Sequence, residues 1–177
     1  MNRKTKKISM IAVLCALSLV LGFVESLIPI PVPIIGVKLG LANIVIVVSI
    51  YTLGPKISLI VVIFKVVMLS LILGSPTMIA FSLCGSLLAW VSMALLYKIP
   101  KASVVLVSIV SATMHNLGQL LAAWAMLGTA SVFFNLPIML VAAVITGSII
   151  GGLSLAVLKA LKVRLPAVEQ AKVTAGE

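Results

Sequence analysis

Few side chains in this sequence could do chemistry, and they stand apart from one another in an apolar chain. The candidates are polar or ionisable groups within or beside apolar runs, where such groups are costly and usually functional. They are Glu25, Lys38, Asn43, Lys65, His115, Asn116 and Gln119. These residue types recognise a ligand by charge and hydrogen bonds, so the set predicts a binding site.

An irregular stretch, residues 25–43, is the first part of the predicted site. The loop from Pro29 to Gly36 carries three prolines at alternate positions. Each proline ring removes an N–H group and pushes the preceding residue out of the α region, so no helix passes through. Irregular backbone beside a membrane is tolerated where it faces protein or a watery cavity. We therefore expect this stretch to be one wall of a site, with the loop as its lid or rim.

The densest polar cluster lies in a later apolar run and contains His115, Asn116 and Gln119. His115 and Gln119 are four residues apart and share a helix face. Asn116 lies about 100° around the helix from His115. Two interpretations remain open: the three side chains hold helices together by hydrogen bonds, or they form the floor of a ligand pocket.

The other polar residues also have alternatives. Glu25 is either an interfacial residue, a ligand contact, or the ion-pair partner of Lys38 or Lys65. Lys38 is equally well a loop charge in water. From mid-helix, Lys65 could extend to the inner surface. Asn43 either caps a helix or points into the pocket.

The composition indicates what class of protein contains these residues. The chain has 177 residues, of which 63% are hydrophobic and 9% charged, whereas a soluble domain carries about 25% charged residues. We predict an all-α integral membrane protein, a single membrane domain over residues 1–177 built as a bundle of six transmembrane helices. The predicted spans are 8–28, 39–53, 57–73, 78–97, 103–127 and 136–161, followed by a polar, frayed tail over 165–177. The second span is short for a bilayer crossing.

The positive charges predict the orientation. Of the 13 Lys and Arg residues, all but Lys38 and Lys65 fall on one side if the spans alternate, which leaves 11 there. By the positive-inside rule that side is cytoplasmic, so both termini are predicted inside. The Pro-rich loop between helices 1 and 2 is then on the outer face.

Several function classes lack their residues here. The sequence has no P-loop, no HExxH and no nucleophile elbow, and its three acidic residues are all glutamates. We therefore expect no enzyme, no cofactor and no metal site. The net charge of +10 sits mostly at helix ends, where it sets topology, and does not predict nucleic-acid binding.

Small residues recur at a spacing of four in the first predicted helix, at Ala12 and Ala16. Such pairs let helices approach closely. They either pack within the bundle or form a flat docking surface for another membrane protein.

Five motifs in order resemble the Gx transporter family, also labelled heptaprenyl diphosphate synthase component I. They are Glu25-Ser-Leu-Ile-Pro29, Pro33–Gly36, Lys38-Leu-Gly-Leu-Ala-Asn43, Leu53-Gly-Pro-Lys56 and His115-Asn-Leu-Gly-Gln119. That family resembles the substrate-binding S components of energy-coupling factor (ECF) transporters. The resemblance covers residues from about 8 to 160.

The resemblance implies a six-helix protein of the bacterial plasma membrane that binds a small molecule near the outer face. Such proteins work with a transmembrane coupling subunit and partner ATPases, and Ala12 and Ala16 match the position that docks the coupling subunit. The implied ligand-contacting residues are Glu25, Lys38, Asn43, His115, Asn116 and Gln119. A second hypothesis is an accessory membrane subunit of a quinone, isoprenoid or flavin-linked extracellular electron transfer system.

Overall fold

A computed structural model describes residues 2–28, 40–74, 76–163 and 165–170, and over these ranges the chain is helical and contains no strand. The six main helices are α1 (Arg3–Leu27), α2 (Leu41–Leu53), α3 (Pro55–Ile72), α4 (Pro76–Leu96), α5 (Val104–Leu127) and α6 (Leu136–Ala160). The predicted all-α fold is confirmed.

The helix ends differ from the prediction in two places. Helix α1 begins at Arg3 rather than at residue 8, because the side chain of Asn2 accepts a hydrogen bond from the Lys4 N–H and caps the first turn. A 3-10 helix, Ala130–Asn135, fills most of the connection between α5 and α6, where the sequence predicts only a turn.

Among the described residues, five helices or helical stretches are long and apolar enough to cross a membrane, so the chain is a multi-pass membrane protein. Helix α2 is the exception. Its 13 residues rise by about 20 Å at 1.5 Å per residue, which is less than the roughly 30 Å of a hydrocarbon core. The predicted even number of spans requires either that the bilayer thins around α2 or that α2 crosses together with part of the preceding Pro-rich stretch.

Helix α2 lies at the centre of the bundle and packs against α1, α3 and α6. Each helix from α3 to α6 packs against the next, so α2 to α6 form a ring and α1 covers α2 and α3 from outside. Seven consecutive or near-consecutive positions of α2 are buried, among them Val47 and Ile50, which are fully buried. A helix that is apolar on all sides belongs in such a central place.

Glycines bring the backbones of α4, α5 and α6 into direct contact. A Cβ on Gly118 would lie 2.7 Å from the carbonyl oxygen of Cys84 and 2.8 Å from the Cα of Gly85. A Cβ on Gly147 or on Gly151 would lie 2.7 Å from a Cα atom of α5. Only glycine permits this approach, so α5 has one close seam with α4 and another with α6.

The prediction that the tail is frayed is wrong for residues 165–170. Leu165 packs against the core, residues 167–170 form a short helix, and Glu169 is only 4% exposed. The segment lies beside Tyr51 and Tyr97, whose rings meet edge to face with centroids 5.3 Å apart. We call these two residues the tyrosine pair. Residues 171–177 lie outside the described part of the chain.

Candidate functional site

Glu25 belongs to the face of α1 that packs against the bundle. Leu14, Ser18 and Gly22 are buried at spacings of four residues, and Glu25 continues the same stripe three residues later. Its exposed fraction is 8%. The interpretation of Glu25 as a headgroup-facing residue does not fit this burial, because the side chain faces protein.

The carboxylate of Glu25 binds the backbone that opens α2. The N–H of Gly40 donates a hydrogen bond to Oε1 of Glu25. Gly40 is the N-cap of α2, has a φ of 81° in the left-handed region, and offers no capping side chain. The first N–H groups of a helix lack intrahelical acceptors, and the helix dipole favours negative charge at this end. Glu25 therefore joins the end of α1 to the start of α2.

Asn43 and Lys65 form the second polar contact. Nζ of Lys65 donates to Oδ1 of Asn43 at 3.2 Å. Asn43 lies 11 residues before Gly54 and Lys65 lies 11 residues after it (54 − 43 and 65 − 54), so equal rise along the α2–α3 hairpin places them at one level. Lys65 is 7% exposed. Its ammonium group is thus held inside the bundle, and the N-cap of α2 is Gly40 rather than Asn43.

His115 and Gln119 meet α4 at a residue without a side chain. A Cβ at Gly85 would lie 2.9 Å from Cγ of Gln119 and 3.1 Å from Cε1 of His115. The two side chains therefore share one face of α5, as their spacing predicts. Gln119 is 8% exposed, and its buried Oε1 has no hydrogen-bond partner among the described residues.

Asn116 is turned towards α6. Its Nδ2 donates to the backbone carbonyl oxygen of Met139 at 2.8 Å, and the residue is 9% exposed. This contact corresponds to the interhelical hydrogen bond that the sequence allowed as an alternative. Asn116 thus ties α5 to α6, whereas His115 and Gln119 face α4.

Two of the predicted features lie outside the described residues: Lys38 and the lid from Pro29 to Gly36. Both remain predictions. Two residues that the sequence reasoning missed are structurally prominent, Gly40 and Gly85. The only sequence signal for Gly85 is a glycine inside an apolar helix, which is a general sign of close packing.

The described polar residues therefore come from two parts of the ring. Glu25, Asn43 and Lys65 are joined through the start of α2, and His115 and Gln119 lie at the α4–α5 crossing. This multi-pass membrane protein therefore holds ionisable and amide groups between its apolar helices at two places.

The sequence matches the family model described as heptaprenyl diphosphate synthase component I over residues 14–157. This is more than half of the chain, so the chain belongs to that family, and the family label expected from the sequence motifs is confirmed. No curated protein and no solved structure matches the sequence.

Proposed function

We propose that this protein binds a small molecule from the outer face of the membrane for uptake, in the manner of an ECF S component. The observation that carries the proposal is the set of buried polar groups: the Glu25–Gly40 contact, the Lys65–Asn43 contact and the oxygen of Gln119, which has no hydrogen-bond partner among the described residues. Polar groups inside a membrane bundle are expensive, and they usually mark the path or the site of a substrate.

The outer surface of α1 supports a docking role for the alanines. Ala12 and Ala16 are exposed, whereas Leu14 and Ser18 are buried. At about 100° per residue, the alanines lie roughly half a turn from the buried stripe. Small side chains on an unpacked helix face let a second membrane protein approach closely, which is what a coupling subunit would require. The sequence has no P-loop, so partner ATPases would supply the energy.

Two measurements on the full chain test this proposal. Native mass spectrometry of the purified protein should show a bound small molecule without added ATP. In native membranes, the variant with Ala12→Trp and Ala16→Trp should keep that molecule but lose co-purifying ATPases and their membrane partner. Val141→Trp is the matched control, because Val141 is 61% exposed on α6 and lies on a different helix. A complex that survives both alanine changes would exclude docking on this face.

A second candidate function rests on the family description, which names an isoprenoid diphosphate synthase. Here the protein would be an accessory membrane subunit of a quinone, isoprenoid or flavin-linked electron transfer system. Aspartate-rich Mg²⁺-diphosphate chemistry would have to come from a partner, because the three acidic residues of the chain are all glutamates. The same pull-down separates the two functions: flavoproteins or prenyl-pathway enzymes would replace the ATPases.

A further inference from the structure

The carboxamide of Gln119 carries a hydrogen-bond acceptor that the described residues leave unused. The side chain is 8% exposed, and its buried Oε1 has no hydrogen-bond partner within the described ranges of the chain. A buried carbonyl oxygen has lost its hydrogen bonds to water, so a missing replacement is unfavourable. Buried polar groups are nearly always paired in native proteins. Oε1 of Gln119 is therefore available to accept a hydrogen bond from a donor outside the described residues.

The position of Gln119 fits a contact with a bound molecule. It lies on the same face of α5 as His115, against the bare backbone of Gly85, so residue 85 has no side chain that could cover the amide. Asn116 is similarly buried on the same helix, yet its amide donates to Met139. On α5, the amide of Asn116 therefore fixes the packing against α6, whereas the acceptor of Gln119 does not fix packing.

We propose that the small molecule bound by this protein donates a hydrogen bond, from an N–H or O–H group, to Oε1 of Gln119. This inference rests on the proposed function and narrows its ligand class. A carboxylate or phosphate oxygen would place an acceptor against an acceptor at this point. Among the described residues of the site, Glu25 and Lys65 have opposite formal charges, which cancel. The site therefore suits a molecule with no net charge, such as an amide, lactam, alcohol or N–H heterocycle.

The test compares four forms of the full chain: wild type, Gln119→Met, Gln119→Glu and Asn116→Leu. The probe is the deproteinised small-molecule extract of the expressing cells, and native mass spectrometry measures the bound fraction. Methionine removes the acceptor while keeping the length of the side chain, so at a sub-saturating amount of extract the bound fraction should fall about tenfold. Glutamate keeps an acceptor and lacks the amide donor, so the bound fraction should fall less in Gln119→Glu than in Gln119→Met.

Stability of the ligand-free protein gives an independent readout. Gln119→Met should be at least as stable as wild type, because it removes an unpaired polar group, whereas Asn116→Leu should be less stable. Three results would overturn the inference and leave the proposed function standing. They are full retention by Gln119→Met, a bound fraction in Gln119→Glu as low as in Gln119→Met, and equal destabilisation by Gln119→Met and Asn116→Leu. A wild-type protein that captures no molecule from the extract would overturn the proposed function, and the inference with it.

Discussion

Replacing Gly118 by alanine should separate α4 from α5. The new Cβ would lie 2.7 Å from the carbonyl oxygen of Cys84 and 2.8 Å from the Cα of Gly85. Non-bonded heavy atoms are comfortable at about 3.5–4.0 Å, so the two helices must move apart by roughly 1 Å. Both obstructing atoms belong to the backbone, and no side-chain rotation can relieve the clash.

The magnitude follows from two opposing terms. Overpacking a tight contact costs about 1–3 kcal/mol, and a clash with backbone belongs to the upper part of that range. Alanine is better than glycine inside a helix by about 1 kcal/mol. The net loss for Gly118→Ala is therefore about 1–2 kcal/mol. Gly152→Ala is the matched control: residue 152 is also helical, a Cβ there meets nothing within 4 Å, and the change should stabilise by up to about 1 kcal/mol.

Unfolding in mixed micelles by titration with a denaturing detergent, followed by tryptophan fluorescence, measures both variants in the same assay. The two should differ by about 2–3 kcal/mol in free energy of unfolding, with opposite signs relative to wild type. The bound fraction of small molecule should also fall in Gly118→Ala, because Gly85 would move away from Gln119. A Gly118→Ala protein as stable as wild type would refute the close seam between α4 and α5.

Three further predictions use the same unfolding assay. Glu25→Leu should cost about 1.5–3 kcal/mol, since a hydrogen bond to a charged acceptor is lost, whereas Glu25→Gln keeps an oxygen for the Gly40 N–H and should cost less; equal losses would contradict the assigned contact. Lys65→Met, Asn43→Leu and their double variant should show a coupling energy of about 1 kcal/mol, and additive losses would mean that the contact contributes nothing. Leu165→Ser should cost about 1 kcal/mol because this half-buried side chain packs against the core, while a frayed tail would give no change.

Much of the fold was accessible from hydropathy and from turn residues. The breaks at Gly54-Pro55 and at residues 97–103 separate helices in the structure as the sequence predicts, because proline and glycine interrupt helices wherever they fall in an apolar run. Hydropathy could not locate the start of α1, because its first turn is polar. Lys4 and its polar neighbours form a helix as readily as apolar residues do. The short second helix was also predictable from the distance between its flanking breaks.

The site was less predictable, because helical spacing gives the relative directions of side chains but not which neighbour each direction meets. His115 and Gln119 were correctly placed on one face. Asn116 faces α6 and Gln119 faces α4 because of the order of the helices around the ring. No local sequence pattern contains that order. The burial of Glu169 has the same origin, because it depends on the return of the chain after α6 to the tyrosine pair and not on a local pattern.

The glycine seams also determine which parts of the bundle can move. Helices in backbone contact cannot slide past each other without clashes, so α4, α5 and α6 should travel as a rigid body. The ring has three other joints, between α2 and α3, between α3 and α4 and between α6 and α2. At the α3–α4 joint, Nε1 of Trp90 donates to the carbonyl oxygen of Pro55. A hinge along the α3–α4 and α6–α2 joints would move the Asn43–Lys65 pair relative to Gln119 while leaving every helix intact. Release of a bound molecule would then need no helix to unfold or rotate about its own axis.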